Sequence, residues 1–171
     1  MKLKQLISMV NVKLNILDRI DRMDSSMTDK EMWNRFINEY NLRNTEYEAW
    51  SFGVDPDYLL SLVLSGKKTG TSSAYPLYEL ENEPLPKIGE YSVILDSKDN
   101  AKCIVQTTNV EIIPFKDITA IHALKEGEGD LSLEYWKDVH YSFFTKCMEE
   151  NGLKFSTDMM VVYEEFKVVY K

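Results

Sequence analysis

The stretch EYSVILDSKDNAKCIVQTTNVEIIPF, residues 90–115, decides the fold. Residues 90–96 and 101–115 are rich in β-branched and other apolar side chains, which favour strands. The polar residues 96–100 between them have the composition of a turn. The stretch therefore predicts a β-hairpin with a short first strand and a long second strand.

Helix signals precede this hairpin. Thr28, with a glutamate three residues later, forms a capping-box pattern and predicts a helix over residues 29–41. Asp55 followed by Pro56 is typical of a helix N-terminus, and Gly66 is typical of a helix end. We therefore expect a short apolar helix that leads directly into an extended polar segment.

Two further helices and at least one strand are predicted after the hairpin. Residues 116–125 favour a short helix, and residues 132–150 carry an apolar stripe with helical spacing. The β-branched and aromatic residues of 158–170 predict one strand or a bent pair. Four or five strands with helices inserted between them predict an α+β domain, and a small β-barrel with helices at its ends is the architecture we expect.

Residues 1–26 differ from the rest of the chain. They are amphipathic, but charged residues such as Asp18 and Arg19 interrupt any signal-like apolar segment. Two interpretations remain open for this leader: an additional helix, or a non-native extension that begins at an upstream start codon. The domain itself is expected over residues 27–171.

The composition restricts the possible partners. A chain of 171 residues suffices for one domain with a full core. Its 28 acidic residues against 20 basic ones disfavour a broad surface that binds along a phosphate backbone, so we expect no extended DNA binding and only local contact with any RNA.

No apolar run approaches the roughly 18 residues of a membrane span. We expect a cytoplasmic protein without membrane contact, and the sequence leaves its oligomeric state open.

The two cysteines predict neither a disulfide nor a metal site. Cys103 and Cys147 lie far apart, and neither belongs to a CxxC pattern or a ligand spacing with histidine. We expect both thiols to be reduced core residues, and we expect no metal ion and no cofactor.

The stretch GKKTGTSS, residues 66–73, is the first candidate site. Small residues let a ligand approach backbone amides, and two cations with four hydroxyls can hold an anion or a polar ring. The alternative is a glycine helix cap followed by solvated lysines and an ordinary polar strand. The candidate ligand-binding or catalytic residues here are Lys67, Lys68, Gly70, Thr71, Ser72 and Ser73.

Strand geometry sets a condition on this site. In a regular strand Thr71 lies on the face opposite to Lys68, so the two converge only if the backbone turns or bulges, and Gly70 is where this distortion costs least. A lysine near a threonine in a pocket can act as a general base if desolvation lowers its pKa toward neutrality.

An acidic cluster is the second candidate. Glu126, Glu128 and Asp130 alternate with glycines between two predicted helices. They form either a solvated acidic turn or the other side of a cleft in which Glu126 faces Lys68 as an acid/base partner.

Aromatic residues and one histidine complete the candidates. His140 shares a helical face with Trp136 and Phe143, which predicts a buried or half-buried histidine. Trp50 and Phe52 are expected in the core, although a tryptophan beside a polar pocket can also stack on a base.

Several segments, taken in order, resemble the ASCH domain family, a branch of the PUA-like superfamily, and resemble its compact bacterial subgroup most. The segments are WSFG (50–53), LVLSGKKTGTSS (62–73), LPKIGEYSVILD (85–96), CIVQTTNVEIIPF (103–115), EGEGDLSLEYW (126–136) and the terminal VVYEEFKVV. The resemblance implies a β-barrel of five or six strands surrounded by helices. It also implies a cleft beside the loop after Gly66 that takes a nucleotide, a nucleoside or an RNA base.

Some small members of this family hydrolyse the amide of N-acylated cytidine nucleosides with a lysine, a threonine three residues later and a glutamate. By this resemblance Lys68 is the candidate base, Thr71 the candidate nucleophile or water-positioning group, and Glu126 the candidate acid/base partner. The alternative function is a non-catalytic RNA-binding module in translation or RNA metabolism. The resemblance leaves open whether the chain is an enzyme.

Overall fold

The computed structural model describes residues 26–43 and 45–171. The predictions for the leader, apart from Ser26, lie outside these described residues. The helices and strands are α1 (Asp29–Glu39), β1 (Tyr47–Trp50), α2 (Pro56–Leu64), β2 (Gly70–Ala74), α3 (Tyr75–Glu81), β3 (Tyr91–Leu95), β4 (Ala101–Pro114), a 3-10 turn (Phe115–Asp117), α4 (Ala120–Glu126), α5 (Leu133–Glu150) and β5 (Met160–Tyr170).

The five strands form one mixed sheet in the order β1-β3-β4-β5-β2. Only the β1–β3 pair is parallel, and the other three pairs are antiparallel. The predicted hairpin is β3–β4, in which Ile94 pairs with Cys103. The long strand β4 continues beyond β3 and pairs with β5 along most of its length. The structure is therefore α+β, as the sequence predicts.

The expected barrel is not confirmed. β1 and β2 lie at the two edges of the sheet, and within the described residues they are not hydrogen-bonded to each other. A barrel requires these edges to pair and remove both free edges. The edge strands have only 4 and 5 residues, against 14 in β4, and the sheet stays open.

Helices cover both faces of the sheet. Successive side chains of a strand point to opposite faces of the sheet. Ile94 therefore lies on the face covered by α2, and Val93 lies on the opposite face, which α1 covers. At the other end of that opposite face, α5 packs on Val161 of β5 through a third apolar cluster. The free thiol of Cys103 is fully buried in the α2 cluster, and this burial raises its pKa to about 12.

The structure differs from the sequence-based prediction in three local elements. The helix predicted over 116–125 is a 3-10 turn followed by α4, because the chain is extended at Ile118 and Thr119 between them. Two elements have no counterpart in the sequence-based prediction: β1, and α3, which follows β2 directly with a proline in its first turn. No helix within the described ranges is long and apolar enough to cross a bilayer.

Candidate functional site

The site forms where the loop after α2 meets the end of α4. Gly66 has φ of 75°, and the backbone N–H groups of Lys67 and Lys68 both donate to the carbonyl oxygen of Leu62 at 2.9 and 3.1 Å. This helix cap leaves Lys67 exposed and turns Lys68 inward, to 2% exposure. The cap thus separates two neighbouring lysines into different environments.

Backbone contacts hold the two loops together. The Thr69 N–H donates to the carbonyl oxygen of Lys125 at 2.7 Å, and the Phe166 N–H of β5 donates to the Thr69 carbonyl at 2.9 Å. Gly127 ends α4 with φ of 73°, and a Cβ atom at this position would collide with the Lys67 carbonyl. Glycine is required here both for its conformation and for the close approach of the loops.

Lys68 lies between two carboxylates. Its Nζ atom is 3.0 Å from Glu126 Oε2 and 2.7 Å from Glu128 Oε1. The ammonium also lies 5.4 Å from the ring centroid of Phe52, within the range of a cation–π contact. These contacts supply the charge and hydrogen-bond partners that a buried ammonium requires.

Glu126 is 1% exposed and both of its oxygens are engaged. Oε1 accepts hydrogen bonds from Ser72 Oγ at 2.6 Å and from the Trp136 indole N–H at 2.8 Å. Oε2 accepts from Lys68 and lies 3.6 Å from His140 Nε2. Glu126 therefore joins β2, α4, α5 and the α2 loop in one polar network.

The surroundings of Lys68 and Glu126 determine the charge of both side chains. Burial by itself lowers the pKa of Lys68, but the charges and hydrogen bonds of Glu126 and Glu128 outweigh it, and the pKa is raised above its ordinary value. Burial raises the pKa of Glu126, but the charge of Lys68 and the hydrogen bonds that the carboxylate accepts outweigh it and hold the pKa well below its usual range. We conclude that both groups are charged. The condition for Lys68 as a general base, a pKa lowered toward neutrality, is not met.

A pocket of about 320 Å³ opens above this network. This volume is at the lower end of the range typical of small-molecule sites, and it suits one heterocycle with little else. The polar lining residues are Asp55, Lys68, Thr71, Ser72, Glu126, Glu128 and His140, and the aromatic ones are Phe52, Tyr58, Tyr135 and Phe143.

The structure brings together half of the predicted site residues. Lys68, Thr71, Ser72, Glu126 and Glu128 all line this pocket. The three candidate catalytic residues are among them. The pocket therefore combines residues of both candidate stretches, residues 66–73 and residues 126–130, as the sequence predicts for a cleft between them.

The other predicted residues have different environments. Gly70 is buried against Tyr163, whose hydroxyl a Cβ atom at position 70 would strike. The hydroxyl groups of Ser73 and Tyr78 share a hydrogen bond of 2.9 Å. Neither Gly70 nor Ser73 lines the pocket, so their assignment as ligand-binding residues is not supported.

The same holds for three further candidates. Lys67 is exposed, and Asp130 accepts a hydrogen bond from the Ser132 N–H at 2.9 Å at the beginning of α5. Trp50 packs edge-on against Phe52 with ring centroids 5.0 Å apart. Trp50 supports a pocket wall and does not line the pocket itself.

The expected bulge at Gly70 is absent. Strand β2 pairs regularly with β5 from Gly70 opposite Glu165 to Ala74 opposite Val161. Lys68 reaches the pocket because it lies in the loop before the strand, where strand alternation does not apply. Ser72, and not Thr71, is the residue of β2 that donates to Glu126.

Sequence reasoning missed the contribution of α5. Tyr135, Val139 and Phe143 follow one another at intervals of four residues and form one wall of the pocket, and His140 reaches its floor. The signal in the sequence was a histidine within an apolar helical stripe, which indicates burial without showing what the ring faces.

The carboxylates do not form a metal centre. Among the described residues, no group of three or more histidine, cysteine, aspartate or glutamate side chains is arranged to hold a metal ion. The Lys68 ammonium occupies the space between Glu126 and Glu128 that a cation would take.

Comparison with known proteins gives consistent results. A family model described as ASCH domain matches residues 48–170. A high-resolution crystal structure of the ASCH domain from Lactobacillus crispatus JV V101 is 29% identical, covers 86% of this chain and 99% of its own, and has a TM-score of 0.75. A crystal structure of a protein from Enterococcus faecalis V583 is 34% identical over 82% of this chain and 87% of its own, with a TM-score of 0.77. Among curated proteins, none matches the chain significantly.

Proposed function

The chain belongs to the ASCH domain family, which has a PUA-like fold, and on this premise we propose that its pocket binds a nucleoside and hydrolyses an amide of an acylated nucleoside. The observation that carries the proposal is the buried Lys68 ammonium, held by Glu126 and Glu128 at the floor of an aromatic-walled pocket.

The walls suit a flat ring. Phe52, Tyr58, Tyr135 and Phe143 supply aromatic surface on which a heterocycle can stack, and such stacking contributes about 1–3 kcal/mol per base. The floor offers donors and acceptors that can read the polar edge of a base. Together these features favour a nucleobase over an aliphatic ligand.

The charge of the pocket favours a ligand without phosphate. Asp55, Glu126 and Glu128 line it with three carboxylates, whereas Lys68 is the only lysine or arginine that the described part of the chain places in its lining. A phosphate near these carboxylates would be repelled, because three carboxylates outnumber the single ammonium of Lys68. Among the nucleotide, nucleoside and RNA base that the family resemblance implies, the nucleoside fits best.

The same charges bear on the alternative, a non-catalytic RNA-binding module. Affinity for RNA grows with the number of phosphates that cations neutralise, and the net charge of −8 leaves few cations for this purpose. A short RNA that places one unpaired base in the pocket remains compatible with the geometry.

In the proposed reaction the three candidate catalytic residues have distinct roles. Thr71 lines the pocket, and in this reaction its hydroxyl serves as nucleophile or positions the attacking water. Lys68, as an ammonium, stabilises negative charge that develops on the amide oxygen. Glu126 fixes Lys68 in place through the contact of 3.0 Å.

The test is turnover of a panel of N-acylated nucleosides, detected as released carboxylic acid and deacylated nucleoside. We expect wild type to hydrolyse at least one compound, and Thr71→Val and Lys68→Ala to lose most activity. Lys67→Ala is the matched control, because Lys67 is the exposed neighbour and its loss leaves the pocket intact. No turnover across the panel, together with salt-sensitive retention of RNA, would replace this proposal by the RNA-binding module.

A further inference from the structure

The ring of His140 on α5 is held in one orientation. It stacks on Trp136 with centroids 4.0 Å apart and planes at 13°, and its Nδ1 lies 3.0 Å from the Trp136 carbonyl oxygen. A carbonyl oxygen only accepts hydrogen bonds, so Nδ1 carries a hydrogen. In the neutral ring the lone pair is therefore on Nε2.

Nε2 faces another acceptor. It lies 3.6 Å from Glu126 Oε2, which is beyond hydrogen-bond distance. Two acceptors that face each other across this gap are stabilised by a proton on Nε2 or by a donor placed between them. Because His140 and Glu126 both line the pocket, a water or ligand in the pocket can supply that proton. The Glu126 carboxylate then stabilises the imidazolium.

The other charged groups near His140 are poor proton acceptors. Lys68 is an ammonium whose pKa is raised by the two carboxylates against the effect of burial, so it has no lone pair to offer. Glu126 is a weak base, because the charge of Lys68 and the hydrogen bond from Ser72 lower its pKa against the effect of burial. Glu128 accepts from Lys68 at 2.7 Å, and the rings that contact His140 from its own helix, Trp136, Phe143 and Phe144, do not titrate.

We propose that His140 is the general base of this pocket, a role that the family resemblance gives to Lys68. The inference rests on the proposed hydrolysis. Nε2 takes a proton from water while the water oxygen bonds to the amide carbonyl carbon. When the carbon–nitrogen bond breaks, the leaving nitrogen takes the proton from Nε2. One water is consumed, a carboxylic acid and an amine are formed, and the ring returns to its neutral state.

The first test is the pH dependence of kcat/KM on the best panel substrate. In wild type we expect activity to fall on the acidic side through a single protonation. His140→Gln removes this limb and lowers kcat by about 100-fold or more. His122→Gln is the matched control, since His122 is the other of the two histidines and does not line the pocket. A His140→Gln variant that keeps both kcat and the acidic limb overturns the proposal.

The second test does not depend on turnover. Nitrogen-15 NMR of the imidazole rings reports which nitrogen carries hydrogen, and His122→Gln assigns the two sets of signals. We expect neutral His140 to carry hydrogen on Nδ1 and to bind a second proton at Nε2 as the pH is lowered. Hydrogen on Nε2 of the neutral ring overturns the assignment of His140 as base. If the panel gives no turnover but NMR finds the lone pair on Nε2, the proposed hydrolysis fails and His140 remains the proton acceptor of the pocket.

Discussion

Lys68 Nζ and Glu126 Oε2 lie 3.0 Å apart although 58 residues separate them in the chain, and each side chain is only 1% exposed. Moving two such charges out of water is costly, and their attraction offsets this only with good geometry and further hydrogen bonds. Glu128, Ser72 and Trp136 provide those bonds. The pair thus organises the floor of the pocket rather than serving mainly to stabilise the fold.

Removing one member of this pair should be strongly destabilising. Lys68→Met leaves the Glu126 carboxylate buried without its cation, and we expect a loss of about 3–5 kcal/mol in the free energy of unfolding. Urea denaturation measures this loss. Lys67→Met, one residue away but exposed, should stay within about 0.5 kcal/mol of wild type. Equal effects of the two substitutions would contradict the buried ion pair.

The buried carboxylate of Glu126 and the half-buried carboxylate of Glu164 should respond to acid in opposite directions. Because the pKa of Glu126 is lowered in the folded state, its stabilisation is present above its ordinary value of 4.5 and is lost as the pH falls below it. Glu126→Gln should therefore make the acid side of the stability profile flatter.

Glu164 is the matched case. Burial raises its pKa, with a partial opposing effect of the hydrogen bond from Thr107, so the folded state binds a proton first as the pH falls toward 4.5. This protonation stabilises the fold, and Glu164→Gln should make the acid loss steeper. Urea denaturation over a pH series distinguishes the variants, and parallel profiles would contradict both assignments.

Gly127 should not tolerate a side chain. Gly127→Ala incurs about 1–2 kcal/mol for its positive φ, and in addition its Cβ collides with the Lys67 backbone. Gly152→Ala is the control, because Gly152 has a similar φ of 69° but nothing within 4 Å of the added atom. We expect the Gly127 variant to lose clearly more stability and to bind nucleoside more weakly. Equal stability losses would show that the two loops are not in close contact.

Gly70 and Tyr163 should be coupled in a double-mutant cycle. Gly70→Ala places a methyl group against the Tyr163 hydroxyl, and overpacking of this kind costs about 1–3 kcal/mol. Tyr163→Phe removes the obstructing oxygen, so Gly70→Ala should be less destabilising in that background. Additive effects in thermal or urea denaturation would contradict the contact.

Local signals explain which elements of the fold could be predicted. The β3–β4 hairpin and the cap of α2 at Asp55 depend on neighbouring residues, and the Asp55 side chain does accept from the Tyr58 N–H at 3.2 Å. β1 has only four residues and its pairing with β3 is long-range, so no local pattern marks it. Whether the edges of the sheet close into a barrel is equally a property of distant strands.

Part of the site could also be predicted from local sequence patterns. Lys68 and Glu126 belong to two unusual stretches of sequence, GKKTGTSS and EGEGD, and the family resemblance linked them. His140 was predictable as buried, but only the packing of α5 against α4 shows that its ring faces Glu126. The raised pKa of Lys68 depends on the balance between burial and two carboxylates, which needs distances that the sequence does not contain.

Ligand binding in this pocket can be observed directly through the three tryptophans. The indole N–H of Trp136 donates to Glu126 beneath the pocket, whereas Trp33 lies in the distant α1 cluster. Cytidine, the deacylated nucleoside that the family resemblance implies, is not consumed and can be titrated while proton–nitrogen NMR follows the indole signals. We predict a saturable shift of the Trp136 signal with that of Trp33 unchanged. A Trp136 signal that stays in place at high cytidine concentration would contradict nucleoside binding at the Lys68–Glu126 pocket.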